Sequence, residues 1–240
     1  MRVLAIDTSG ALSSVALVDG EVVTEVARHT PRGHVEAIGP ALASVRAAVE
    51  PRTLEAIACG VGPGPYTGLR VGVTAALALG AVWSVPVVGV CSLDAVAACA
   101  QDRWQSPVGV ALDARRREVY WAVYDADGFR VAGPQVGRAA DVDDGLRARR
   151  WVGSGTLEYL DEFEHHDLSV STLQPYAQWV GRVAAAALSR GAEIGEVVAP
   201  LDAHGTDSGA TAAALRGRVL LPPRPLYLRR PDVTIAGGAS

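Results

Sequence analysis

The stretch that most limits what this chain can fold into is Gly62-Pro63-Gly64-Pro65-Tyr66-Thr67-Gly68-Leu69-Arg70-Val71-Gly72. An apolar run over 57–61 precedes it and reads as the end of a buried strand; 73–82 follows and reads as a helix. Strand, Gly/Pro-rich turn and helix start in that order leave unpaired N–H groups at a helix mouth, where an anion can sit. The same residues also suit an ordinary stiff turn, with prolines restricting the chain and glycines taking positive φ. Within the helix, Gly68, Gly72, Ala76 and Gly80 recur every four residues and form a ridge of minimal side chains. A helix-interior glycine costs roughly 1 kcal/mol relative to alanine. The ridge therefore implies close approach of a second backbone, from this chain or from a partner.

Composition narrows the chemistry. With 240 residues, 49% hydrophobic and 20% charged, the chain has material for one large domain or two lobes with a substantial core. The 22 basic residues are all arginine. Without lysine there is no Walker-type phosphate lysine, no Schiff-base lysine and no Ser-Lys dyad. A net charge of −4 gives no global basic excess for nucleic acid, although a local patch stays open. Cys59, Cys91 and Cys99 lie in apolar surroundings, as buried thiols in a reducing compartment do. The apolar run before Asp7 is too short for a signal peptide. Residues 71–93 carry no charge and are long enough to span a bilayer, but Ser84-Val85-Pro86 interrupts them and β-branched residues follow. The expectation is a buried helix and a buried parallel strand in a soluble cytoplasmic protein that engages no membrane.

Two halves repeat a pattern. A strand over 3–6 opens onto Asp7-Thr8-Ser9, and a hairpin over 14–26 turns at Asp19-Gly20. A helix over 34–49 places Val35, Ile38, Leu42, Val45 and Val49 on one face, with Pro40 as a kink or as the true first turn. Ser92 caps a further helix, with Asp94 in its first turn. Near 105–107 the chain starts over: a strand over 108–112, the turn Asp113-Ala114-Arg115, then a hairpin with Asp127-Gly128. Trp151 to Gly155 adds another strand and turn, and 178–188 an alanine-rich helix. The expected division is a first lobe over 1–105, a second over 106–222, and an extended tail over 223–240. Helix 178–188 belongs to the second lobe or packs back on the first.

Asp7-Thr8-Ser9 and Asp113-Ala114-Arg115 are the strongest pair of candidates, since two Asp-led turns across a cleft could hold a nucleotide's phosphates and its magnesium. Each lacks the glycine that would let phosphate approach, and Asp is also a common turn and cap residue. The loop Arg32-Gly33-His34-Val35-Glu36 gathers a cation, an imidazole and a carboxylate. No histidine pair has the i, i+4 spacing of a helical metal site, and His34 reads as a capping or interface residue. Thr206-Asp207-Ser208-Gly209 resembles a serine-protease fragment without its strand–turn–helix elbow. The runs 115–117 and 147–150 read as solvated arginines, with phosphate contact as the alternative.

The opening Ile6-Asp7-Thr8-Ser9, the 32–36 loop, the 62–72 stretch, residues 86–93, Asp113-Ala114-Arg115 with Glu118-Val119-Tyr120, and the late Pro225-Leu226-Tyr227-Leu228-Arg229 together resemble the TsaB (YeaZ) family. The resemblance implies a duplicated two-lobed α/β fold of the actin/Hsp70/sugar-kinase-like (ASKHA) class with a reduced second lobe. It implies a non-catalytic subunit of the machinery that forms threonylcarbamoyladenosine on tRNAs reading A-starting codons, with no cofactor or metal of its own. The implied partners are the larger catalytic paralogue TsaD, the ATPase TsaE and a second copy of the chain, with tRNA met only through the complex. The implied interface draws on His34, Ile38, Leu42, Val45, Gly68, Leu69, Gly72, Val73, Ala76 and Gly80, and Asp7, Thr8, Ser9 and Asp113 become a vestigial nucleotide site. Pro65-Tyr66 departs from the Ser-Phe of many relatives, and 195–220 is longer than usual. The competing expectation is an active ATP-dependent enzyme of the sugar-kinase or carbamoyltransferase type that uses Asp7.

Overall fold

The computed structural model describes residues 1–30, 33–142, 150–163, 165–167, 174–192 and 220–228. β1 (Arg2–Asp7), β2 (Leu12–Asp19) and β3 (Val22–His29) form an antiparallel meander, and β4 (Ala56–Gly62) and β5 (Val87–Cys91) extend it in parallel from β1. α1 (His34–Arg46) links β3 to β4, α2 (Tyr66–Trp83) links β4 to β5, and α3 (Ser92–Trp104) leaves β5. The second sheet repeats this order. β6 (Val108–Asp113), β7 (Glu118–Tyr124) and β8 (Arg130–Arg138) meander, β9 (Arg150–Val152) runs parallel to β6, and β10 (His165–Asp167) runs parallel to β9. Counted from its own first strand, each sheet contains the order 5-4-1-2-3, and the first carries a sixth strand outside its fifth. The second copy is reduced: opposite the 18 residues of α2 it has α4 (Ser154–Glu158), of 5 residues, and a short 3-10 turn.

Alternation along the strands gives the first sheet two apolar faces. Leu4, Ile6, Val15 and Leu17 point towards α1 and α2 and join Ile38, Val45, Val73 and Ala76 in the larger core. Val3, Ala5, Ala16 and Ala58 point the other way and are covered by α5 (Ala177–Ser189) through Ala177, Val180, Ala184 and Ala187. Close contact sets the residue choice there, since a Cβ on Gly181 would lie 2.7 Å from Val18 Cγ2. The Ala177 N–H donates to Ser14 Oγ and the Gln178 N–H to Glu25 Oε1, fixing the start of α5 on β2 and β3. β11 (Leu220–Leu221) pairs antiparallel with β5 at the edge of the same sheet. So two elements from the 106–222 stretch complete the first sheet, because its second face and β5 edge need cover that residues 1–105 do not supply.

The units are joined by α3. Asp94 in its first turn is buried and accepts from Arg130 Nη2 (2.6 Å), Arg130 Nε (3.1 Å) and Tyr124 Oη (2.6 Å), so one carboxylate binds the first unit to β7 and β8. Burial and the neighbouring Asp94 hold the Tyr124 pKa well above its usual range.

Turn chemistry differs among the hairpins. Gly20 (φ 59°) and Gly128 (φ 84°) supply the left-handed backbone of two of them. In the β2–β3 hairpin Asp19 pairs with Val22, so Gly20-Glu21 rather than Asp19-Gly20 occupies the loop. The β6–β7 turn instead places Arg115, Arg116 and Arg117 at φ 63°, 58° and 63°. That region costs an L-residue with a Cβ roughly 1–2 kcal/mol.

Candidate functional site

β1 and β6 end in the same device. The Ser9 N–H donates to Asp7 Oδ1 and the Arg115 N–H to Asp113 Oδ1, both at 2.8 Å. Between the two turns lies a cleft of about 410 Å³ lined by Ser9, Gly10, Pro63 to Tyr66, Asp113, Arg115, Tyr120, Gln174 and Tyr227, among others. Ser9 and Asp113 line this cleft; Asp7 and Thr8 do not. Asp7 is 1% exposed, and Gly60 is so near that a Cβ would sit 1.7 Å from Asp7 Oδ2. A Cβ on Gly64 would sit 2.1 Å from the Ser9 carbonyl oxygen, so the glycine-rich turn lies directly on Ser9. Ser9 Oγ and Ser92 Oγ complete the hydrogen bonding of the Asp7 carboxylate. Burial raises its pKa to about 6, with the donors from Ser9 and Ser92 pulling the other way. An acid enclosed by neutral donors behind the cleft wall is poorly placed to present magnesium to a nucleotide.

Thr8 explains the glycines. Its buried hydroxyl donates to the Gly68 carbonyl (2.7 Å) and accepts the Gly72 N–H (2.9 Å), entering α2 between two groups that an undisturbed helix joins directly. A Cβ at Gly68 would lie 2.4 Å from Thr8 O, and one at Gly72 would lie 2.5 Å from Thr8 Oγ1. Gly80 packs in the same way on Val87 and the Val85 carbonyl. The ridge is therefore a contact of α2 with its own sheet, not with a partner. Of the ten residues expected at a partner surface, His34, Ile38, Val45, Gly68, Leu69, Gly72, Val73, Ala76 and Gly80 are buried in this chain, and only Leu42 is partly open. His34 is a core connector: its Nδ1 meets Ser13 Oγ at 2.8 Å, and burial lowers its pKa.

What α2 turns outward is a different row, Thr67 and Arg70 near its start and then Thr74, Leu77, Ala78, Ala81 and Val82, with Val82 77% exposed. Val35 on α1 is also exposed, and an apolar groove of about 130 Å³ runs between the helices over Leu42, Ala43, Leu79 and Trp83. By length and composition α2 could cross a membrane, yet its inner face is built into this chain's core.

Sequence reasoning missed several contributors. Ser92 is the first residue of α3 rather than its cap, and its hydroxyl serves Asp7 and the Gly62 N–H. Tyr227 stacks on Tyr66 (centroids 4.8 Å apart), Arg70 lies 4.1 Å over the Tyr66 ring, and Arg70 Nε donates to Tyr227 Oη. The Leu226 N–H donates to the Val61 carbonyl, so the 220–228 segment straps the glycine-rich turn. The sequence signals for it are the prolines at 222, 223 and 225 and the 225–229 stretch of the family resemblance, neither of which says where the segment docks. Among the described residues no His/Cys/Asp/Glu group could hold a metal. Arg32, the 147–149 arginines, Ser208, the 195–219 stretch and the tail beyond 228 lie outside the described residues.

Two sheets containing the order 5-4-1-2-3, each ending its first strand in an Asp-led turn at a shared cleft, define the actin/sugar-kinase-like class of α/β proteins. A family model described as "TsaD: tRNA N6-adenosine threonylcarbamoyltransferase" matches residues 20–236. The chain is 38% identical over 135 residues to the tRNA threonylcarbamoyladenosine biosynthesis protein TsaB of Escherichia coli, covering 53% of this chain and 56% of that one. It is 45% identical over 152 residues to an uncharacterised protein of Mycobacterium leprae, covering 60% of this chain and 40% of that one. It thus spans about half the length of these curated relatives. A solved Pseudomonas aeruginosa protein, described as similar to peptidase YEAZ, superposes with TM-score 0.73 at 26% identity over 95% of this chain and 99% of that one. The chain belongs to the TsaB/YeaZ family.

Proposed function

We propose that this chain is a non-catalytic subunit of the cytoplasmic machinery that makes threonylcarbamoyladenosine in tRNA, and that it binds and activates the larger catalytic paralogue. The observation that carries this reading is the outward face of α2. Thr74, Leu77, Ala78, Ala81 and Val82 present an uncharged, largely apolar strip over two turns beside the α1 groove. A strip of that kind is a protein-docking surface by its chemistry. The interface expected from the resemblance keeps its helices and exchanges its residues: the inward ridge holds α2 in place and the outward strip meets the partner. Enclosure of Asp7 supports the absence of chemistry in this chain and weighs against an ATP-dependent enzyme built on that acid. A peptidase reading gains no support from the Ser13–His34 pair, which is buried. Activation would come from interface binding energy that favours one state of the partner.

The test is reconstituted tRNA threonylcarbamoylation with the larger paralogue and the ATPase, with and without this chain, and with Leu77→Asp/Val82→Asp. Both positions are exposed, so the variant should keep the stability of the isolated chain to within about 0.5 kcal/mol. It should fail to co-elute with the paralogue and fail to stimulate product formation. Full stimulation by the variant, or product made by this chain alone, defeats the reading.

A further inference from the structure

The β6–β7 turn holds three arginines in a backbone that this chain elsewhere gives to glycine. Its neighbours in kind, the β2–β3 and β7–β8 hairpins, use Gly20 and Gly128 at positive φ. Here Arg115, Arg116 and Arg117 adopt it in succession. Left-handed turn positions favour glycine and asparagine, so arginine at three of them is poorly explained by backbone preference alone. The turn is also firmly held. The Ala114 N–H donates to the Glu118 carbonyl (2.9 Å), the Glu118 N–H to the Arg115 carbonyl (3.0 Å), and the Arg115 N–H to Asp113 Oδ1 (2.8 Å). The Arg117 N–H lies against the Tyr159 hydroxyl. All three side chains are exposed, and exposed Arg138 sits beside them, opposite Glu118 in the β7–β8 register. Asp113, Glu118 and Glu158 flank the group, and Asp113 pairs with Arg115 at 3.4 Å.

Guanidinium groups are forks that match phosphate oxygens two at a time. On an open turn they gain little from a single small anion in water, where exposed ion pairs are weak. A polyanion is different, because each phosphate neutralised releases condensed counterions. The overall charge of −4 does not oppose this, since local fields decide such contacts. We propose that Arg115, Arg116 and Arg117, with Arg138, form a direct contact site for an RNA phosphate backbone, used when tRNA docks on the complex. This rests on the reading under Proposed function and departs from the expectation that tRNA meets this chain only indirectly.

Arg116→Asn/Arg117→Gly tests it well, because the pair removes two charges while giving the turn residues it favours. The complex with the larger paralogue is assembled with wild type, with this variant, and with Arg116→Lys/Arg117→Lys, and checked by size-exclusion chromatography. Binding of an unmodified transcript of a tRNA reading an A-starting codon is then followed between 50 and 200 mM salt. The expected result is an intact complex whose affinity at low salt falls about tenfold, with a salt slope shallower by about 2. The lysine variant should recover most of that slope. An intact Asn/Gly complex with unchanged affinity and slope overturns the proposal. So does a complex that no longer assembles, because the arginines would then face the protein partner. Failure of the wild-type chain to assemble removes the functional reading itself, and is told apart by the chromatography.

Discussion

Replacing Thr8 by valine isolates the contribution of one hydroxyl. Thr8 is fully buried, and valine has the same shape with a methyl group where Oγ1 stood. Packing is retained while the Gly68 carbonyl and the Gly72 N–H lose their shared partner. A buried polar group left unpaired costs roughly 1–3 kcal/mol, and two of them set an upper bound of about 6. Partial closure of α2 onto a direct bond recovers some of this, so the expected loss is about 3 kcal/mol. In a chain of this length each 1 kcal/mol moves Tm by roughly 2–4 °C, which gives a fall of about 6–12 °C. Equilibrium urea unfolding should show a lower midpoint with an unchanged m-value. Thr8→Ser keeps the hydroxyl and deletes one methyl, for a loss of about 1 kcal/mol. A Thr8→Val protein as stable as wild type, or less harmed than Thr8→Ser, would refute the bridge as the reason for the ridge.

Arg130→Met leaves Asp94 buried without its cation, and should cost about 3–5 kcal/mol in urea unfolding, as broken buried pairs do. Asp7 should give stability a pH dependence of definite sign. Its folded pKa, about 6, lies above the ordinary 3.8, so the folded state holds the proton more tightly and stability falls as pH rises from about 4 to 6. Relative to Asp7→Asn, wild type should lose about 3 kcal/mol across that window, and parallel stability curves for the two proteins would rule the shift out. Arg116→Asn/Arg117→Gly should raise the stability of the isolated chain by about 1–2 kcal/mol through relief of left-handed strain, measured by the same unfolding.

Local patterns carried the architecture. Hairpins, the strand–turn–helix at 57–82 and the restart near residue 106 are all written within a few residues of one another, and the topology follows them. The direction in which a surface faces is not local. Four-residue spacing marks Gly68, Gly72, Ala76 and Gly80 as one face, but what lies against it is Thr8, some sixty residues earlier. For the same reason Thr8 looked like a ligand residue and proved to be a structural one. Ser92 stood where a cap is expected, yet its partner, Asp7, is brought in by the parallel pairing of β1, β4 and β5. Asp94 is legible as a first-turn acid, but its pairing with Arg130 is not, since the two sit 36 residues apart in α3 and β8.

The cover that α5 lends to the first sheet has a consequence for how the chain comes off the ribosome. Val3, Ala5, Ala16, Ala56, Ala58, Val88 and Val90 are all synthesised before residue 105, but apart from Ala95 of α3 the helical side chains that cover them belong to α5, which begins at Ala177. At about 5–20 residues per second, translation of the intervening seventy or so residues takes several seconds. Through that interval one side of the nascent sheet lacks the cover of α5, and β5 keeps an unpaired edge until Leu220 and Leu221 follow. The first sheet is thus first to be made and last to be closed, and its completion waits on residues 177–221.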